Sequence, residues 1–118
     1  MNKELLINTY EGETLLFKEN LLGTFENNIL KYENETDSFL IDIEHKLFQK
    51  ENLESILNIS HKKALLTVKE LEQSFDIELN MHNFMTKENK IILEYLLETN
   101  ENPIKIEIEM SDINEPQN

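Results

Sequence analysis

The side chains able to do acid–base or metal chemistry in this sequence are three histidines, His45, His61 and His82, and a large excess of carboxylates. A catalytic zinc site needs several nitrogen and oxygen ligands converging at short spacings. No two of these histidines stand at i, i+2 or i, i+4, and His-Glu-x-x-His does not occur. His82 shares a parity with Asp76, Glu78 and Asn80, which predicts a solvated outer face. Glu107 and Glu109 lie two apart, about 7 Å along an extended chain, and Glu94 and Glu98 also fall on one face of their segment. Paired carboxylates can hydrolyse glycosides. In a chain this acidic, such pairs arise from composition alone, and the expectation is a solvated face.

Other chemistries have no residues to run on. Without Cys there is no thiol nucleophile, thiolate metal site or disulfide. The two glycines, Gly12 and Gly23, are too far apart for a dinucleotide fingerprint, and neither a P-loop nor Gly-x-Ser-x-Gly is present. The reading is therefore of a non-enzyme, with no catalytic residues, no cofactor and no metal.

Charge narrows the partners. There are 24 acidic residues against 11 basic ones, all Lys, for a net charge of −13. That balance opposes nucleic acid and anionic lipid, which require cations to displace counterions. It is compatible with a solubility coat or with an acidic face for a basic protein partner. No apolar run is long enough to cross a bilayer, and the apolar residues after Glu4 are too few for a signal peptide core. The expected location is the cytoplasm.

The elements that must carry these groups alternate with a period of two. Ile104, Ile106, Ile108 and Met110 are separated by Lys105, Glu107 and Glu109, which makes a strand with one dry and one wet face. The same pattern runs through 75–81 and 91–97, so the three segments form a meander. Earlier strands are expected at 4–10, 14–18, 21–25, 29–33 and 39–43, with a shorter one at 47–49. Glu11-Gly12 and Asn27-Asn28 are turn signals. Residues 53–59 fit strand or helix. Residues 60–75 are open as well, since Ala64, Leu65, Val68, Leu71 and Phe75 fall on one helical face while Leu66-Thr67-Val68 suits a strand. Residues 83–89 read as a connection that carries Phe84 and Met85, a candidate apolar contact tip. One domain is expected over 1–110, followed by a polar, fraying tail over 111–118. Short strands spaced about every ten residues indicate an antiparallel sandwich or barrel.

Several segments resemble the DUF1934 family of small bacterial proteins. They are Tyr10-Glu11-Gly12, Leu22-Gly23-Thr24-Phe25, 28–33 ending on Tyr32-Glu33, 74–79, and 91–95 ending on Glu94-Tyr95. Phe48-Gln49-Lys50 departs from that pattern, where the family tends to carry Arg then Gly. The resemblance implies a calycin-like β-barrel, turns 60–75 toward strands, and brings no catalytic residues. The combined expectation is an all-β chain forming one antiparallel, lipocalin-like barrel of about eight to ten strands. Phe39, Ile41, Phe75, Ile77, Leu93, Tyr95, Ile106 and Ile108 are its candidate lining. A barrel of this size is filled by side chains or holds one small apolar ligand.

Overall fold

The computed structural model describes residues 2–60 and 63–113. Eleven strands follow one another: β1 (Asn2–Glu11), β2 (Thr14–Glu26), β3 (Ile29–Glu33), β4 (Ser38–Asp42), β5 (Leu47–Glu51), β6 (Ser55–Ser60), β7 (Lys63–Val68), β8 (Gln73–Ile77), β9 (Leu79–Lys87), β10 (Lys90–Leu97) and β11 (Ile104–Asp112). They form a single antiparallel sheet in the order β8-β7-β6-β5-β4-β3-β2-β1-β11-β10-β9. The terminal strands β8 and β9 are separated in the chain by Glu78 alone, so the polypeptide itself joins the two ends of the sheet into a nearly closed barrel. Among the described residues there is no helix.

Alternation fills the interior. Leu5 and Ile7 from β1, Leu30 and Tyr32 from β3, and Ile41, Phe48, Ile59 and Ala64 from the next four strands meet Ile91, Leu93, Tyr95 and Leu97 of β10 and Ile106, Ile108 and Met110 of β11. Each is almost fully removed from water, and each buried aliphatic or aromatic side chain contributes about 1.5–3 kcal/mol. Tyr32, Phe39, Phe48 and Tyr95 form a continuous aromatic row, with centroids 4.7, 6.1 and 5.9 Å apart. The Phe48–Tyr95 step connects β5 to β10 across the interior.

Two strands turn the corners. Residues 14–24 of β2 pair with β1, and only its residues 23–26 pair with β3. Gly23 sits where the pairing changes. A Cβ there would fall 2.7 Å from Leu5 Cδ1 and 2.8 Å from the Lys31 carbonyl oxygen, so only glycine allows the approach. The expected strands 14–18 and 21–25 are thus one strand. At the other corner β8 pairs with β7 and β9 pairs with β10, with a register shift that leaves Asn80 as an extra residue. Such a bulge swaps the faces of everything after it.

The undecided segment 60–75 is, over its described part, strand on either side of a turn at 69–72. Ala64 sits against Ile59 and Ile77, and Leu71, which a helix would have buried, is exposed on the turn to β8. Two-sided strand pairing outweighs local helix propensity here. Residues 83–87 are not a connection but the second half of β9. At the chain end β11 continues through Asp112, where Lys3 forms an ion pair with it. The expectation of fraying at 114–118 and the placement of His61 fall outside the described residues.

Turn chemistry follows the scarcity of glycine only in part. Gly12 has φ 58° at the first position of the β1–β2 turn, and Asn27 and Asn28 have φ 54° and 64° in the β2–β3 turn, the type I′ requirement. Lys46, Glu72 and Glu88 also adopt positive φ, although nothing in their side chains favours it.

Candidate functional site

The interior reaches the surface beside β2. Residues 14–22 of β2 pair with β1 but have no strand on their other side, and the walls part there into a cleft of about 900 Å³. Its floor is apolar: Phe39, Phe48, Tyr95, Ile104 and Ile106. Leu16, Phe17, Glu19 and Leu21 form one bank, and residues 33–37 and Lys50 form the other. A second depression of about 530 Å³ lies at the Gly23 corner between Leu22, Lys31, Leu40 and Gln49. It reaches the core only at Tyr32 and Phe39, whereas the larger cleft descends to buried Phe48 and Ile106.

The polar bank is built by asparagine. Asn34 Oδ1 accepts the backbone N–H groups of Thr36 and Asp37 at 3.0 and 2.9 Å, which closes an Asx turn. The same side chain donates from Nδ2 to Glu19 Oε2 at 3.2 Å, tying this loop to β2 across the cleft. Asn52 repeats the device with Glu54 and Ser55 and donates to Asp37 at 3.4 Å. Glu19, Glu33, Glu35 and Asp37 thus flank the opening against a single lysine, Lys50. Glu19 also faces the interior. Burial pushes the Tyr32 phenol well above its usual range, and the nearby Glu19 carboxylate and Tyr95 push it further. Burial alone raises Tyr95 to about 12. Both phenols are neutral groups at ordinary pH.

Of the residues expected to line the barrel, Ile41, Leu93, Tyr95, Ile106 and Ile108 are buried in it, and Phe39 and Ile77 are partly buried against it. Phe75 differs. It points inward by register but lies 45% exposed, because β8 has a neighbour on one side only. The expected contact pair is split. Phe84 pairs with Leu93 and packs inward, while Met85 points outward and is 60% exposed. The bulge at Asn80 is the cause, and it also overturns the solvated position expected for His82. His82 lies opposite buried Tyr95, with Nε2 shielded from solvent.

The carboxylate pairs of the sequence lie on the outer wall and at a strand end. Glu107 is held on the outer wall by Lys90 at 3.6 Å and Lys105 at 3.5 Å. Glu98 lies past the end of β10, where its backbone N–H donates to the Glu78 carbonyl at 2.9 Å, while Glu94 accepts from Asn83. His45 instead pairs with Asp42, Nδ1 to Oδ2 2.8 Å, on the exposed β4–β5 turn. This hydrogen bond lowers the Asp42 carboxyl and raises the His45 imidazole. Among the described residues, no three His, Asp or Glu side chains gather to hold a metal ion. None of the described helices could cross a membrane, since there are none.

Sequence reading missed Glu19, Asn34, Asp37 and Lys50. Two of them left a signal. Glu19 interrupts the inward series Phe17, Leu21, Gly23 and Phe25, and Lys50 follows Phe48 on the inward parity of β5. No protein-family model, curated protein or solved structure matches this chain.

Proposed function

We propose that the protein is a non-enzymatic binding module that takes the apolar part of a ligand into the cleft beside β2. The observation that carries this reading is the apolar floor of that cleft, where Phe39, Phe48, Tyr95, Ile104 and Ile106 meet an opening of about 900 Å³. Ligand sites combine such apolar floors with a few placed polar groups at the rim. The calycin-like resemblance is in keeping with it, as a barrel with a mouth, and membership of the DUF1934 family with a bacterial, cytoplasmic setting is part of the proposal.

The test uses a neutral fluorescent apolar probe, 1-aminoanthracene. Binding should enhance its emission and shift the amide resonances of Phe39, Phe48 and Ile106. Phe48→Leu should weaken it while keeping the fold. Emission unchanged by the protein would sink the small-ligand reading. A second reading, docking onto a basic protein, is favoured by the four carboxylates at the rim against one lysine. Its signature is binding that weakens as salt is added.

A further inference from the structure

We propose that the cleft receives an extended basic polypeptide segment, which adds to the free edge of β2 as a further antiparallel strand. The proposal rests on the reading of this cleft as a ligand site and specifies the occupant.

Three features converge on an extended chain. First, residues 14–22 are hydrogen-bonded to β1 alone, so alternate residues direct their N–H and C=O groups away from the sheet. A small apolar molecule leaves those groups to water, whereas an extended backbone pairs with them along the strand. Second, the strip beside that edge is apolar and accessible. Leu16 is 43% and Phe17 60% exposed, and the floor beneath continues to Phe48. An incoming strand places every second side chain on this strip. Third, the opposite bank presents Glu33, Glu35 and Asp37. These carboxylates suit Lys or Arg at the intervening positions, and the net charge of −13 adds long-range attraction. A second copy of this chain would bring the same acidic bank against itself, so charge disfavours self-pairing as the occupant.

Exposed edges are normally blunted by charge, proline or bulges. On β2 the exposed run 14–17 is Thr-Leu-Leu-Phe, without a charge until Lys18, and its one irregularity is a bulge at Leu16, so an incoming strand pairs in regular register along 17–22. The Asn34 Nδ2–Glu19 hydrogen bond spans the cleft at 3.2 Å, so the incoming strand passes over this bridge or displaces it.

The experiment titrates the full chain with the peptide Lys-Val-Lys-Leu-Lys-Val-Lys and follows amide resonances. Expected shifts cluster at 14–22 and 33–37. Methylating alternate backbone nitrogens of the peptide should weaken binding by about tenfold or more, the loss of a few edge hydrogen bonds. The double variant Glu33→Lys, Glu35→Lys should weaken it by a similar factor without changing the unfolding midpoint by much, since both groups are exposed. Equal binding by the methylated peptide overturns edge pairing. Equal binding by the peptide Lys-Gly-Lys-Ser-Lys-Gly-Lys, of matched length and charge, overturns the apolar strip. Shifts confined to the free edge of β9, or self-association in place of peptide binding, overturn the site. If 1-aminoanthracene binds the cleft and the peptide does not, this inference fails and the small-ligand reading survives. If neither binds, both fail.

Discussion

The barrel turns two corners, and it turns them by different means. At the Gly23 corner no residue is inserted, so the inward series Leu21, Gly23 and Phe25 keeps its parity through the bend. What changes is volume, because the side chain is deleted where Leu5 and the Lys31 carbonyl approach. At the Asn80 corner a residue is added, and parity is lost: Ile77 and Leu79 face inward before it, His82 and Phe84 after it. The first device leaves one bank of the strand open and produces the cleft. The second turns the next hairpin so that Phe84 closes on Leu93. A corner made by deletion preserves a pattern that sequence reading can follow, and a corner made by insertion breaks it.

The largest test of this contrast is deletion of Asn80. Removing the bulge slips β9 by one residue against β10 and sends Phe84 and His82 to the outer face. The expected result is loss of a cooperative unfolding transition, read by circular dichroism in urea. A two-state transition with an unchanged midpoint would mean that the bulge does not set the register.

At the other corner, Gly23→Ala should destabilise the protein by about 1–3 kcal/mol, the range for overpacking a tight site. The measurement is chemical denaturation, and the same substitution at exposed Glu26 serves as the reference. If the two variants match, the corner does not depend on the missing Cβ.

Each corner also buries a phenol, Tyr32 beside Gly23 and Tyr95 across from His82. Their folded-state pKa values are raised, so the folded chain holds these protons more tightly than the unfolded chain. Their contribution is complete below the ordinary tyrosine value of 10.0 and is lost as pH rises, for Tyr95 through about 12. Stability should therefore fall across this window, and Tyr95→Phe should flatten part of the fall. An equally steep fall in that variant would assign the effect elsewhere.

The hairpins that follow the two corners make a smaller comparison. The β2–β3 turn places Asn27 and Asn28 at positive φ, whereas the β9–β10 turn forces Glu88 to φ 53°. Glu88→Gly is expected to gain about 0.5–1 kcal/mol, and Asn28→Gly to change less. A loss on Glu88→Gly would show that its side chain contributes more than its backbone strain costs.

The smallest effect lies away from both corners. The His45 imidazole should titrate above its ordinary 6.5 by proton NMR, and Asp42→Asn should return it toward that value. The pair's contribution fades as pH rises through the raised His45 value, and again as pH falls through the lowered Asp42 value. No shift on Asp42→Asn would discount the hydrogen bond.

The sequence by itself determined the strands that alternate cleanly. Ile104 to Met110 is half dry and half wet wherever it is placed, and Asn27-Asn28 is a tight turn because asparagine tolerates left-handed backbone. All-β class, antiparallel order and most of the interior, including Ile41, Leu93, Tyr95, Ile106 and Ile108, follow from such local signals. Only the tertiary structure decided where the pattern changes phase. Asn80 is one polar residue among many, and its role as a bulge depends on which residues of β10 lie opposite. The cleft was equally hidden. Glu19 comes from β2, Asn34 and Asp37 from the β3–β4 loop, and Phe48 and Ile106 from strands far along the chain. Alternation is a property of neighbours in sequence, while a binding surface is a property of neighbours in space, and only the pairing of distant strands brings the two together.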